Sequence, residues 1–93
     1  MKIAVLGTGM VGETLGSKLI QLGHEVTMGS RSKSHDKAAA WVEKSGPLAR
    51  QGTFADAAAA GELVLNCTLG SASLEALTQA GESNLAGKIL WDL

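Results

Sequence analysis

Apolar and polar residues follow one another in blocks along this chain, and the blocks predict strands and helices in regular alternation. Four apolar residues, Ile3 to Leu6, run directly into Gly7-Thr8-Gly9-Met10-Val11-Gly12. A helical stripe takes over, with Val11, Leu15 and Leu19 four residues apart, and a second apolar pulse from Val26 to Met28 closes the unit.

The alternation continues downstream. Ser34 is placed to cap a helix running to about Ser45, with Asp36 in its first turn and Ala38, Ala39 and Ala40 as helix formers. Trp41 and Val42 supply its bulk, and the Trp41 ring is expected to pack on a sheet rather than on a ligand. Gly46-Pro47 ends that helix. Leu48 to Gly52 reads as a short third strand at a sheet edge. Thr53 and Asp56 have the spacing of a capping box and open an alanine helix that ends at Gly61. Leu63 to Cys67 is a continuous apolar run, as in a parallel strand covered on both faces. Ala72 to Ala80 reads as a helix with Leu74 and Leu77 on one face. Gly81 and Asn84 to Gly87 then turn the chain into a fifth strand, Ile89 to Leu93. The expected fold class is α/β: one doubly wound parallel sheet of the Rossmann type, strand order 3-2-1-4-5, in a single domain over residues 1–93.

Strand, glycine turn, helix and strand form the context in which G-x-G-x-x-G marks a dinucleotide site. Gly7 lets the chain leave the strand in a tight turn. Gly9 allows the backbone to approach a diphosphate, while Gly12 and Gly16 let the helix lie close to its neighbours. The first-turn N–H groups and the helix dipole then favour the anion.

The second strand narrows the cofactor. NAD sites usually carry an Asp or Glu about 20 residues beyond the glycines. Here that tip reads Thr27-Met28-Gly29-Ser30-Arg31-Ser32-Lys33-Ser34, without an acid; Glu25 is at the wrong end and Asp36 comes too late. A guanidinium grips a 2′-phosphate through parallel hydrogen bonds, and hydroxyls donate to the same oxygens. The tip therefore predicts NADP(H), with Arg31 as main anchor, Ser30 and Ser32 as supporting donors and Lys33 adding charge at the rim.

The turn after the fourth strand is expected to face the ribose and nicotinamide half, which makes Asn66, Thr68 and Ser71 secondary candidates. Cys67 reads as a small buried filler, since no basic partner lies near it in sequence. His24 and His35 lie in positions that are usually exposed, and neither has a second ligand at metal spacing.

Composition adds exclusions. A net charge of −1 gives no sign of nucleic acid or of an acidic membrane surface. No apolar run approaches the ~20 residues of a membrane span. The first strand starts at once, without a signal peptide, and a lone cysteine suits a reducing compartment, so a cytoplasmic location is expected. An exposed sheet edge at the fifth strand would favour a homo-oligomer.

Lys2 to Gly12 followed by Gly29-Ser30-Arg31 resembles the N-terminal domain of the NADP-dependent reductases of the deazaflavin coenzyme F420. Gly52-Thr-Phe-Ala-Asp-Ala-Ala57 and Asn84-Leu-Ala-Gly-Lys-Ile-Leu-Trp-Asp92 resemble the same family, so that the likeness covers nearly all 93 residues. It implies NADP lying across the carboxyl edge of the sheet and hydride transfer between the nicotinamide C4 and C5 of the deazaflavin. By matching position, Thr8, Gly9, Met10 and Val11 would line the diphosphate turn. Ser30 and Arg31, with Lys33 beside them, would hold the 2′-phosphate, and Cys67, Thr68 and Leu69 would border the nicotinamide. The hydride passes directly between two rings, so no residue here need be catalytic as acid or base. Such reductases continue past the fifth strand, where an Asn-Pro segment helps complete the second pocket, and this chain is therefore expected to be the N-terminal part of a longer reductase. The second substrate would be F420 or a flavin-like acceptor. Two other functions share the same turn: an NADP(H)-sensing module without chemistry, and an NADP-dependent dehydrogenase of a small organic substrate.

Overall fold

Ile3 to Leu6 is apolar at every position because helices cover both faces of the strand it forms. The structure, a computed structural model, describes residues 1–68 and 71–92. In chain order the elements are β1 (Lys2–Leu6), α1 (Met10–Gln21), β2 (Glu25–Ser30), α2 (Asp36–Ser45) and β3 (Ala49–Thr53). They continue with α3 (Phe54–Ala60), β4 (Leu63–Asn66), α4 (Ser71–Ala80), α5 (Glu82–Leu85) and β5 (Ile89–Asp92). The strands are all parallel and lie in the predicted order, β3-β2-β1-β4-β5.

Alternation along β1 splits the core into two layers. Ile3 and Val5 join Val26, Met28, Leu65 and the fully buried Trp41 beneath α1 and α2. Ala4 and Leu6 join Phe54, Ala57, Ala58, Val64, Ala76 and Ala80 beneath α3 and α4. The second layer is built from alanines, and glycine completes it. A Cβ on Gly29 of β2 would come within 2.9 Å of the Ala57 Cβ, and one on Gly61 within 2.6 Å of the Ala4 backbone nitrogen. Trp41 packs as expected: its ring lies over Gly16, and its indole N–H donates to Ser17 Oγ at 3.1 Å.

Several boundaries differ from the sequence reading. The α2 cap is His35, not Ser34; its Nδ1 accepts from the Lys37 N–H at 3.2 Å. Ser34 is drawn into the preceding loop, where its carbonyl accepts from Ser32 Oγ. β2 extends to Ser30, two residues past the apolar pulse, because Gly29 and Ser30 pair with Gly52 and Thr53 of β3. The stretch Asn84 to Gly87, read as a turn, begins inside α5. Asn84 Nδ2 donates to the Ala80 carbonyl at 2.8 Å and ties α5 to the end of α4, while Lys88, just before β5, donates through Nζ to the Ala58 and Ala59 carbonyls in the last turn of α3.

The capping box at α3 forms as predicted. Thr53 Oγ1 accepts from the Asp56 N–H, and Asp56 Oδ2 accepts from the Thr53 N–H, both at 3.0 Å. These bonds to Thr53, with the Lys33 charge nearby, hold the Asp56 carboxyl below its ordinary pKa. A depressed carboxyl stabilises the fold above the unfolded-state pKa, and that contribution disappears as the pH falls through the lower, folded-state value. Asp56→Asn should therefore lower the melting temperature at pH 7 and flatten its fall below about pH 4. Thermal melts at pH 7 and pH 3 check this; an equal fall in both proteins would remove Asp56 from the acid response.

The edge strand β5 has its apolar residues in solvent. Ile89 and Trp91 continue the register of Leu63 and Leu65 on the α1 face, yet they are 62% and 60% exposed. No described helix is long and apolar enough to cross a membrane.

Candidate functional site

The strands are all parallel, so their carboxyl ends share one edge of the sheet, and the helices that follow β1 and β4 pack on opposite faces of it. A cleft of about 460 Å³ lies there, within the usual size of a ligand site. The β1–α1 turn lines it with Gly7, Thr8, Gly9, Met10 and Val11; the end of β2 contributes Ser30 and Arg31. His35, Phe54, Cys67, Thr68 and Ala72 complete the wall. Among these described residues the charged group is the Arg31 guanidinium, and no carboxylate lines the cleft.

The glycines of the turn differ in what requires them. Gly7 has φ +118°, a conformation that side chains strain to adopt, and its N–H donates to the Gly29 carbonyl at 2.9 Å. Gly12 is required by packing, since a Cβ would come within 3.0 Å of the Gly7 carbonyl oxygen and 3.1 Å of Val5 Cγ1. Neither reason applies to Gly9. Its φ is an ordinary −77°, and a Cβ there would meet no protein atom within 4 Å. Gly9 is also the N-cap of α1, where Ser, Thr, Asp or Asn would satisfy one of the first-turn amides that glycine leaves uncapped. The bare backbone thus suits an occupant of the cleft better than it suits the helix. Met10 and Val11 are 84% and 50% exposed, because the first turn of α1 projects past the sheet. Val11 therefore belongs to the cleft wall and not to the buried stripe continued by Leu15 and Leu19.

The other predicted residues divide. Ser30 is buried, and its hydroxyl donates to the Ser32 carbonyl at 2.8 Å; Ser32 Oγ donates to the Ser34 carbonyl at 2.9 Å. The two hydroxyls thus shape the loop behind Arg31. Ser32 and Lys33 are exposed and do not line the cleft, and Gly12 lies beneath it. Cys67 and Thr68 border it, while Leu69 lies outside the described residues, as does the side chain of Ser71. Burial pushes the Cys67 thiol pKa up, which keeps it protonated and unreactive.

Asn66 does not face the cleft. It is fully buried, and its amide is used within the fold: Nδ2 donates to Ser73 Oγ at 2.7 Å and to Asp92 Oδ1 at 3.0 Å. Its Oδ1 accepts from the Thr68 hydroxyl and N–H at 2.5 and 3.3 Å, so that Asn66 positions the Thr68 turn from below.

His35 and Phe54 were missed as cleft residues. Each stands at the start of a helix that leaves a strand's carboxyl end, a placement that could have marked both. An acid was missed as well. Glu75 of α4 reaches the β2 tip, where its Oε2 accepts from Arg31 Nη2 at 2.8 Å. Its other oxygen, Oε1, accepts from Gln79 Nε2 at 3.0 Å. Among the described residues, no cluster of His, Cys, Asp and Glu is arranged to hold a metal ion.

The sequence model of the NADP oxidoreductases dependent on coenzyme F420 matches residues 2–93. Among solved structures, a candidate F420-dependent NADP-reductase from Arthrobacter sp. FB24 shares 49% identity at a TM-score of 0.87; the match covers 99% of this chain and 44% of that one. An imine reductase from Streptomyces aurantiacus shares 26% identity at a TM-score of 0.82, over 100% of this chain and 31% of that one. A shikimate dehydrogenase from Mycobacterium tuberculosis shares 28% identity at a TM-score of 0.67, over 98% and 34%. The chain thus spans less than half the length of these relatives. No curated protein sequence matches it significantly.

Proposed function

The chain belongs to the family of coenzyme F420-dependent NADP oxidoreductases, and on that premise we propose that its carboxyl-edge cleft is the NADP(H) site of a reductase. The observation that carries this reading is Gly9, left bare at a helix N-terminus where neither φ nor packing calls for glycine. A diphosphate there would receive the uncapped N–H groups of the first turn and the positive end of the α1 dipole. Arg31 would hold the 2′-phosphate. Ser30 and Ser32 support its loop and can turn their hydroxyls to the same anion, and Lys33 adds charge from the rim. Cys67 and Thr68, with Leu69 after them, would border the nicotinamide.

Bound NADPH supplies a hydride, which in this reading goes to F420 or a flavin-like ring. The chain's own part is orientation. Asn66 sets the height of the Thr68 turn, Gly7 aims the β1–α1 turn, and the Phe54 ring and the Cys67 thiol give the cleft apolar walls that exclude water. We assign no acid, base or nucleophile to the residues of this chain.

Parallel titrations with NADPH and NADH, followed by nicotinamide fluorescence, test the reading. NADPH should bind more tightly, and Arg31→Ala should weaken NADPH by roughly 10- to 100-fold, as for loss of a charge-assisted contact, while NADH changes little. An unchanged preference in Arg31→Ala would remove Arg31 as the phosphate reader. Assay of a version extended past Leu93 then addresses the acceptor: F420 reduction supports the reductase, and tight binding without any reduction supports a sensing module.

A further inference from the structure

The ion pair between Arg31 and Glu75 joins two elements that the sheet keeps apart. Arg31 follows β2 and Glu75 lies in α4, which comes after β4, and β1 separates β2 from β4 in the sheet. The pair closes at 2.8 Å beside the cleft, which Arg31 lines. We propose that Glu75 competes with the 2′-phosphate for Arg31: it is a carboxylate latch that holds the guanidinium and must be displaced when NADP(H) binds. The inference rests on the reading of Arg31 as the phosphate anchor.

Three observations support a latch rather than a fixed strut. The guanidinium and the carboxylate are 66% and 43% exposed, so a ligand can reach the pair from solvent. An exposed pair of this kind is weak, whereas a dianionic phosphate offers Arg31 a stronger, bidentate partner. The carboxylate also keeps a second partner after release, because Gln79, one helical turn on, already donates to Oε1 at 3.0 Å. Glu75 therefore leaves Arg31 without being stranded. NADH brings no phosphate to this position, so it does not displace Glu75 and gains nothing from its removal. Glu75 thereby sets how strongly the site prefers NADPH, and it lowers that preference below what Arg31 alone would give.

The test is titration of the wild-type chain and Glu75→Gln with NADPH and NADH, with 2′,5′-ADP and 5′-AMP as fragments that differ in the 2′-phosphate. Glutamine keeps the size and the hydrogen bonding with Gln79 while removing the charge, and circular dichroism checks that the fold is intact. NADPH and 2′,5′-ADP should bind roughly two- to fivefold more tightly to Glu75→Gln, the range an exposed pair allows, while NADH and 5′-AMP stay unchanged. The gain should shrink in an Arg31→Ala background and at high salt. NADPH binding that is unchanged or weaker in Glu75→Gln overturns the latch and leaves the NADP(H) reading in place. An equal gain for NADH also overturns it, because the effect would not be specific to phosphate. Failure of both proteins to bind any of the four ligands overturns the latch and the reading together.

Discussion

Replacing Gly9 by Asp is expected to weaken NADPH and NADH binding by at least about 100-fold while leaving the fold at least as stable as before. The two outcomes diverge because the fold and the ligand want different residues at this position. An Asp side chain meets no protein atom near its Cβ and needs no special φ, so the backbone accepts it. As an N-cap it accepts from a first-turn amide and complements the helix dipole, which adds a few tenths of a kcal/mol over glycine, or about a degree or two in melting temperature. The same carboxylate takes the amides a diphosphate would use and sets a negative charge against an anion, and such like-charge contacts cost several kcal/mol. Fluorescence titration alongside a thermal melt reads both. Retained binding within tenfold would place the diphosphate elsewhere. A large loss of stability would mean that the turn needs glycine for its own sake. Gly9→Ala, smaller and neutral, should show the same pattern more mildly.

The largest effect on stability is expected from Trp41→Ala. Trp41 is fully buried in the layer under α1 and α2, against Ile3, Val5, Val26 and Met28. Its ring also fills the space left by Gly16, where a Cβ would come within 2.9 Å of Cζ2. Removing it costs the transfer of the ring from water and leaves a cavity that α1 and α2 cannot both collapse into, about 3–5 kcal/mol in all. A domain of this size has only ~5–14 kcal/mol in hand, so the melting temperature should fall by more than about 12 °C. Trp41→Phe keeps most of the volume and loses the bond to Ser17 Oγ, and it should cost much less. Urea denaturation separates the two variants. A loss below about 1 kcal/mol in Trp41→Ala would mean that the layer repacks without the ring. Because Trp41 carries the middle of α1, the alanine variant should also loosen the helix start that faces the cleft.

Much of the architecture was legible in the order of residue types. The apolar runs at Ile3–Leu6 and Leu63–Leu65 mark strands covered on both faces, and Thr53 with Asp56 marks a helix start that forms by local bonds alone. The glycine turn was legible for the same reason: its chemistry lies within six consecutive residues. Where the reading fell short, the missing partner was distant. Ser34 looks like the α2 cap until Gln51, sixteen residues beyond His35, accepts the His35 N–H at 3.2 Å and helps hold His35 at the cap. Asn66 looks like a ligand contact until Ser73 and Asp92 take its amide. Gly29 lies two residues before Arg31 at the β2 tip, yet what requires it is the Ala57 methyl of α3.

The sequence by itself determined most elements, the glycine turn and the cationic β2 tip, because each depends on periodicity or on neighbours a few residues away, and their alternation implied the strand order through the fold. Tertiary structure alone decided the remainder of the cleft: it added His35 and Phe54, withdrew Asn66, and set Glu75 on Arg31 across 44 residues of chain. Local propensity sets each element, but the acid that faces an arginine is chosen by how helices stack on a sheet, and no short window of sequence contains that information.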